Sequence, residues 1–162
     1  MKKTIELIRS TMSIAFCLSL WACTSEQGKL NQAASEAASQ QFQSELKEEI
    51  SKAVTGKTNL QATAVDIVTK KTEFEVLKSE IKGASAEVEV QALTIPDKVR
   101  VSLIEIIAKL DSHKERNFNV SDAIGLISLQ MGVAPEERAA LNYKFRFKNE
   151  GGWKKQEPPK SH

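Results

Sequence analysis

The side chains able to do chemistry are few and scattered. Glu87 and Glu89 alternate with Val88 and Val90, which places both carboxylates on one face of a strand. Such a pair can share acid–base work, but solvated sheet faces carry carboxylates as a matter of course. Lys144, Arg146 and Lys148 alternate in the same way with Tyr143, Phe145 and Phe147. They suit an acidic ligand and cross-strand pairing with the glutamates equally well. The two histidines, His113 and His162, lie far apart, so no histidine-based metal site is expected. No nucleophile motif, glycine-rich phosphate loop or Cys-x-x-Cys pair is present, and the chain is expected to be non-enzymatic and to need no cofactor. Tyr143, Phe145 and Trp153 are the candidates for lining an apolar ligand pocket, if the sheet curves around them.

The most specific pattern lies near the start. Lys2, Lys3 and Arg9 make a basic opening, diluted by Glu6, and Thr11 to Ala22 form an uncharged, mostly apolar run. That run is about a dozen residues, where a membrane-spanning helix needs roughly twenty. The proportions are those of a cleaved export signal. Leu20-Trp21-Ala22-Cys23 follows at its end and resembles the lipobox of bacterial lipoproteins, an aliphatic residue, a loosely restricted one, a small one and a cysteine. The resemblance implies removal of residues 1–22 and a diacylglyceryl thioether on Cys23, usually with an acylated amino group. Threonine at position 24, where aspartate would imply inner-membrane retention, implies the outer membrane, with the polypeptide facing the periplasm. Two or more acyl chains anchor firmly where one binds reversibly.

Removing three basic residues and one acidic residue with the leader takes the chain from 23 and 21 to 20 of each. A balanced domain has no electrostatic footprint for nucleic acid. Cys17 would leave with the leader and Cys23 would be modified, so the mature domain would contain neither free thiol nor disulfide.

The remaining elements are read from periodicity. Thr24 to Lys29 is expected to be a short polar tether. Leu30 to about Val54 has Leu30, Ala34, Ala37, Phe42, Leu46, Ile50 and Ala53 at helical steps, and predicts a long helix whose alanine-rich first half is expected to be a frayed stalk and whose second half is expected to dock on the core. Leu60 to Thr69, rich in valine, isoleucine and threonine, predicts a strand, with a short helix through Ala62, Val65 and Val68 as the alternative. Glu73 to Ile95 predicts a hairpin turning at Gly83. Pro96 opens a helix with an apolar stripe from Val99 to Leu110, Asp111 to Asn117 is a charged loop, and Ser121 to Met131 forms a second helix stopped by Gly132. Ala134-Pro135-Glu136-Glu137 starts a third, and Leu141 to Lys148 is a strand followed by a glycine turn and a short return at Trp153.

The mature chain thus reads as a single α+β domain over 30–155, with a long N-terminal helix, an antiparallel sheet made of a hairpin and a C-terminal strand pair, a helical insertion between them, and a loose tail over 156–162. Residues 73–95 and 141–155 resemble the cystatin-like superfold shared with nuclear transport factor two, which implies a helix lying in the concavity of a bent sheet. An anchored, compact domain without a catalytic constellation is expected to bind another envelope protein, and Phe42 and Leu46 on the long helix are the expected docking residues. The alternative is a carrier of small molecules using the aromatic pocket.

Overall fold

From Lys29 to Ala53 the chain has no glycine or proline and is rich in alanine, glutamine, glutamate and lysine, the residues that cost least in a helix. In the computed structural model this stretch belongs to α1 (Lys2–Ala53). The structure describes the backbone over residues 2–53, 59–113 and 118–157, and side chains over 26–53, 59–110 and 118–157. The outer surface of α1 is laced by four-residue pairs such as Gln32–Glu36 and Lys52–Glu48. Its inner stripe, Leu30, Ala34, Ala37, Ala38, Phe42, Leu46 and Ile50, is buried. The alanine-rich half is therefore docked and not a frayed stalk: small side chains let the helix lie close against its support.

That support is a four-stranded antiparallel sheet, β1 (Glu73–Lys82), β2 (Ser85–Thr94), β3 (Ala139–Asn149) and β4 (Trp153–Lys155), in the order β1-β2-β3-β4. Gly83 turns the first hairpin at φ 63°, a left-handed value that favours glycine. One face of the sheet is apolar by alternation. Ala86, Val88, Val90 and Ala92 on β2 lie opposite Phe147, Phe145, Tyr143 and Leu141 on β3, and Phe74 and Val76 extend the face onto β1. Phe42 of α1 meets Phe74 edge-on at 6.0 Å between ring centres. The register of β1 slips between Val76 and Lys78, a bulge that leaves Leu77 exposed.

The hairpin, the long helix, the helical insertion and the C-terminal strand pair fall where the sequence patterns put them. Other details differ. Residues 59–70 form helix α2 (Asn59–Lys70), not a strand, because Ala64 and Val68, four apart, both find the core. Packing there outweighs the strand preference of valine and isoleucine. Thr72 shares a buried hydrogen bond with Thr94 (2.9 Å) and fastens the end of α2 to the end of β2. Pro96 sits just ahead of α3 (Asp97–His113), where its carbonyl accepts from the Val99 and Arg100 amides. Asn119 caps α4 (Val120–Gln130), its side chain accepting from the Ser121 and Asp122 amides. The helix ends through Gly132, with the Val133 amide donating to the Ser128 carbonyl (2.9 Å), a Schellman closure. Residues 134–137 make a single turn closed by the Glu137 amide on the Ala134 carbonyl, and no third helix forms there, since β3 begins at Ala139. The stretch expected as a tether is helical, and Glu26 and Gln27 within it bond to Asn149 and Ser79 on the sheet.

Phe42 is 2% exposed and Leu46 3%. Phe42→Ala is expected to lower the unfolding free energy by about 3–5 kcal/mol, whereas Leu129→Ala on α4 should change it by less than about 0.5 kcal/mol. Urea unfolding followed by circular dichroism checks both.

Candidate functional site

The residues singled out from the sequence do not assemble into one site. Phe42 and Leu46 are core, so they are not available to a partner. Tyr143 and Phe145 lie on the apolar sheet face and are buried, with their rings stacked 6.2 Å apart. Trp153 is half-buried at the sheet margin, its indole nitrogen buried without a hydrogen-bond partner. Of the three, only Phe145 borders either of the two grooves described below, and Tyr143 and Phe145 are taken up by the core. The side chains of Cys23 and His113 lie outside the described residues.

Glu87 and Glu89 are on the opposite, charged sheet face. Glu87 pairs with Arg146 at 3.2 Å and Glu89 with Lys144 at 3.8 Å, across the β2–β3 register. Each carboxylate thus faces a cation across the sheet, while Lys148, opposite Ser85, pairs with Glu150 instead. An open groove of about 870 Å³ crosses this face from Lys78, Glu80 and Lys82 on β1 to Lys155 and Glu157 beyond the start of β4. Phe145 contributes to its wall, but the groove is lined mainly by charged side chains.

A polar seam runs along the flank of α1. Gln41, Glu45 and Glu49 recur every four residues and so share a face. Gln41 donates to Glu45 (3.0 Å) and accepts from Lys155 (3.3 Å), whose ammonium sits 4.5 Å above the Phe145 ring. The Tyr143 hydroxyl donates to Glu45 (2.9 Å). Glu49 lies 3.1 Å from Arg100 at the start of α3, and Arg100 also reaches Asp97 at 3.2 Å. Burial pushes the Tyr143 phenol well above the ordinary tyrosine range, and the Glu45 carboxylate raises it further. A phenol so held is a spent donor and a poor base, which suits a fastening better than a catalytic group.

The sequence reading missed the outer face of α4. Val120, Ala123, Ile124 and Ile127 face the core, yet Leu126, Leu129 and Met131 are exposed, Leu129 at 78%. The helix is apolar on both sides, a pattern ordinarily seen in fully buried helices. That signal was available in Ala-Ile-Gly-Leu-Ile-Ser-Leu, which has one polar side chain in seven residues. Beside it lies a shallow groove of about 690 Å³, floored by Ile95, Ile124, Leu129 and Val133 and edged by Lys71 and Arg138. Among the described residues no cluster of metal-ligating side chains occurs, and no helix is long and apolar enough to cross a membrane. Comparison of the chain with protein-family models, with curated proteins and with solved structures returns no match.

The Tyr143 fastening predicts a pH dependence. A phenol whose folded value lies above its unfolded one, about 10, contributes stability that is complete below that pH and is lost as pH rises toward the folded value. Unfolding free energy should therefore fall above pH 10, and Tyr143→Phe should flatten that fall; parallel urea titrations at pH 8 and pH 11 give the measurement.

Proposed function

We propose that this chain is a non-catalytic envelope lipoprotein, anchored through acylated Cys23 to the periplasmic side of the outer membrane, whose domain binds another envelope protein through α4. The observation supporting the binding role is the exposure of Leu126, Leu129 and Met131 on and just after α4, with Leu129 lining the adjoining groove. Several large apolar side chains left exposed on one element are a mark of an interaction site. The burial of Phe42, Leu46 and the rest of the α1 stripe favours α4 over α1 as the docking element. The basic opening, uncharged run and Leu20-Trp21-Ala22-Cys23 support the anchor. The buried positions of Tyr143 and Phe145 weigh against the small-molecule carrier reading.

The two halves of the proposal are tested separately. Cys23→Ala should abolish acylation and leave the unprocessed precursor mass, read by intact-protein mass spectrometry; an unmodified wild-type Cys23 would overturn the anchor. A photo-crosslinking residue at position 129 should trap one protein in whole cells, and Leu126→Ser with Gly125 and the capping residues untouched should reduce that adduct at least tenfold without altering the unfolding curve. An adduct that survives the substitution at full yield would move the docking site elsewhere.

A further inference from the structure

Glu26 is the third residue after Cys23, and three residues span at most about 11 Å even when fully extended. Glu26 accepts from Asn149 at the start of the β3–β4 turn, and Gln27 donates to Ser79 near the end of β1. The Asn149 amide in turn donates to the Ala84 carbonyl in the β1–β2 turn (2.8 Å). Both sheet turns therefore lie at the end of the domain from which the anchor departs. A bilayer holding Cys23 has this end of the sheet as its nearest neighbour.

The chemistry of that end fits an anionic surface. Glu80 sits between Lys78 (2.7 Å) and Lys82 (3.2 Å), and Glu150 between Lys148 (2.9 Å) and Lys154 (3.7 Å). Each triad has two cations to one carboxylate, and all four lysines are more than half exposed. Lys29 is balanced by Glu26. The turn tips themselves are Gly83-Ala84 and Gly151-Gly152, so the flanking lysines reach farthest. Lys78, Lys82 and Lys148 also line the large charged groove, which opens at this end. Ile81 adds one exposed apolar side chain beside Lys82. Basic groups held at a membrane surface are drawn to anionic headgroups within a Debye length.

We propose that the two lysine triads at the turn end of the sheet bind the headgroups of anionic phospholipids in the membrane that holds Cys23, and so fix the domain upright with α4 directed away from the bilayer. This rests on the lipid anchor proposed above. The ten-residue strands between the turns and the α4 end are about 33 Å long, which puts the α4 groove, beside Glu73 and Ile95, beyond reach of the headgroups.

The test is hydrogen exchange read by mass spectrometry on the mature acylated protein in phosphatidylglycerol-containing vesicles and in pure phosphatidylcholine vesicles. Peptides covering residues 79–86 and 148–154 should exchange at least threefold more slowly on the anionic vesicles. Raising the salt to 0.5 M, or the triple change K82E/K148E/K154E, should remove the difference, while peptides over 120–133 stay unchanged and report an intact fold. Equal exchange of the turns on both vesicles, with Cys23 acylated, would overturn the headgroup contact and leave the anchor standing. Protection at 120–133 instead would overturn it by placing α4 in the membrane. A Cys23 found unmodified in the same digest would overturn both.

Discussion

The structure depends on the burial of one helical stripe. A four-stranded sheet with one apolar face is unstable until that face is covered, and α1 covers it from Leu30 to Ile50. Alanines at 34, 37 and 38 and the larger Phe42, Leu46 and Ile50 all join the one core, Phe42 against Phe74 of β1. Because the stripe is consumed in folding, the described part of α1, residues 26–53, keeps no large apolar side chain exposed. The binding role proposed above would then fall to an element that folding leaves unsatisfied. Among the described helices that element is α4, with Leu126 and Leu129 exposed while Ile124 and Ile127 are buried.

A stripe of small residues tolerates sliding, and polar contacts set where α1 stops. At one end Gln27 and Glu26 meet Ser79 and Asn149. In the middle Gln41 and Glu45 meet Lys155 and Tyr143, and beyond them Glu49 meets Arg100. Each bond contributes only about 1 kcal/mol in net terms, but a shift of one helical turn would break all of them together. Arg100 and Tyr143 are largely buried, so losing their partners costs more than the bonds contribute. The seam therefore specifies register more than it adds stability, which is the role that buried polar groups fill best.

Much of this was legible because period and face are local properties. The alternation from Glu87 to Ala92 and from Tyr143 to Lys148 marks the strands, and Gly83 marks the turn, with no knowledge of the rest of the chain. Residues 59–70 read as a strand by their valine and isoleucine and fold as a helix, because the outcome turns on whether Ala64 and Val68 find a core four residues apart. Phe42 and Leu46 read as a docking stripe in the sequence because a helix in isolation looks the same whether its partner is a sheet of its own chain or another protein. The same ambiguity hid α4. Its inner and outer apolar residues differ only in which side α3 and α2 occupy, and that is a property of the packed chain.

The position of the α1 terminus links the fold to the anchored reading. Had the chain entered the domain through a long unstructured linker, the sheet would have no fixed relation to a lipid on Cys23. Instead the last residues before the core, Glu26 and Gln27, are bonded to the sheet, and Leu30 is fully buried one turn later. On the proposed anchoring, a lipid three residues upstream of Glu26 would be coupled to the orientation of the whole domain, since rotation about it would tilt α1 and the sheet together. In the proposed arrangement the short connection would turn a membrane tether into an orienting device. It would set a charged end, suited to headgroups, apart from the exposed leucines of α4 at the other end of the strands, leaving them to a partner on the aqueous side.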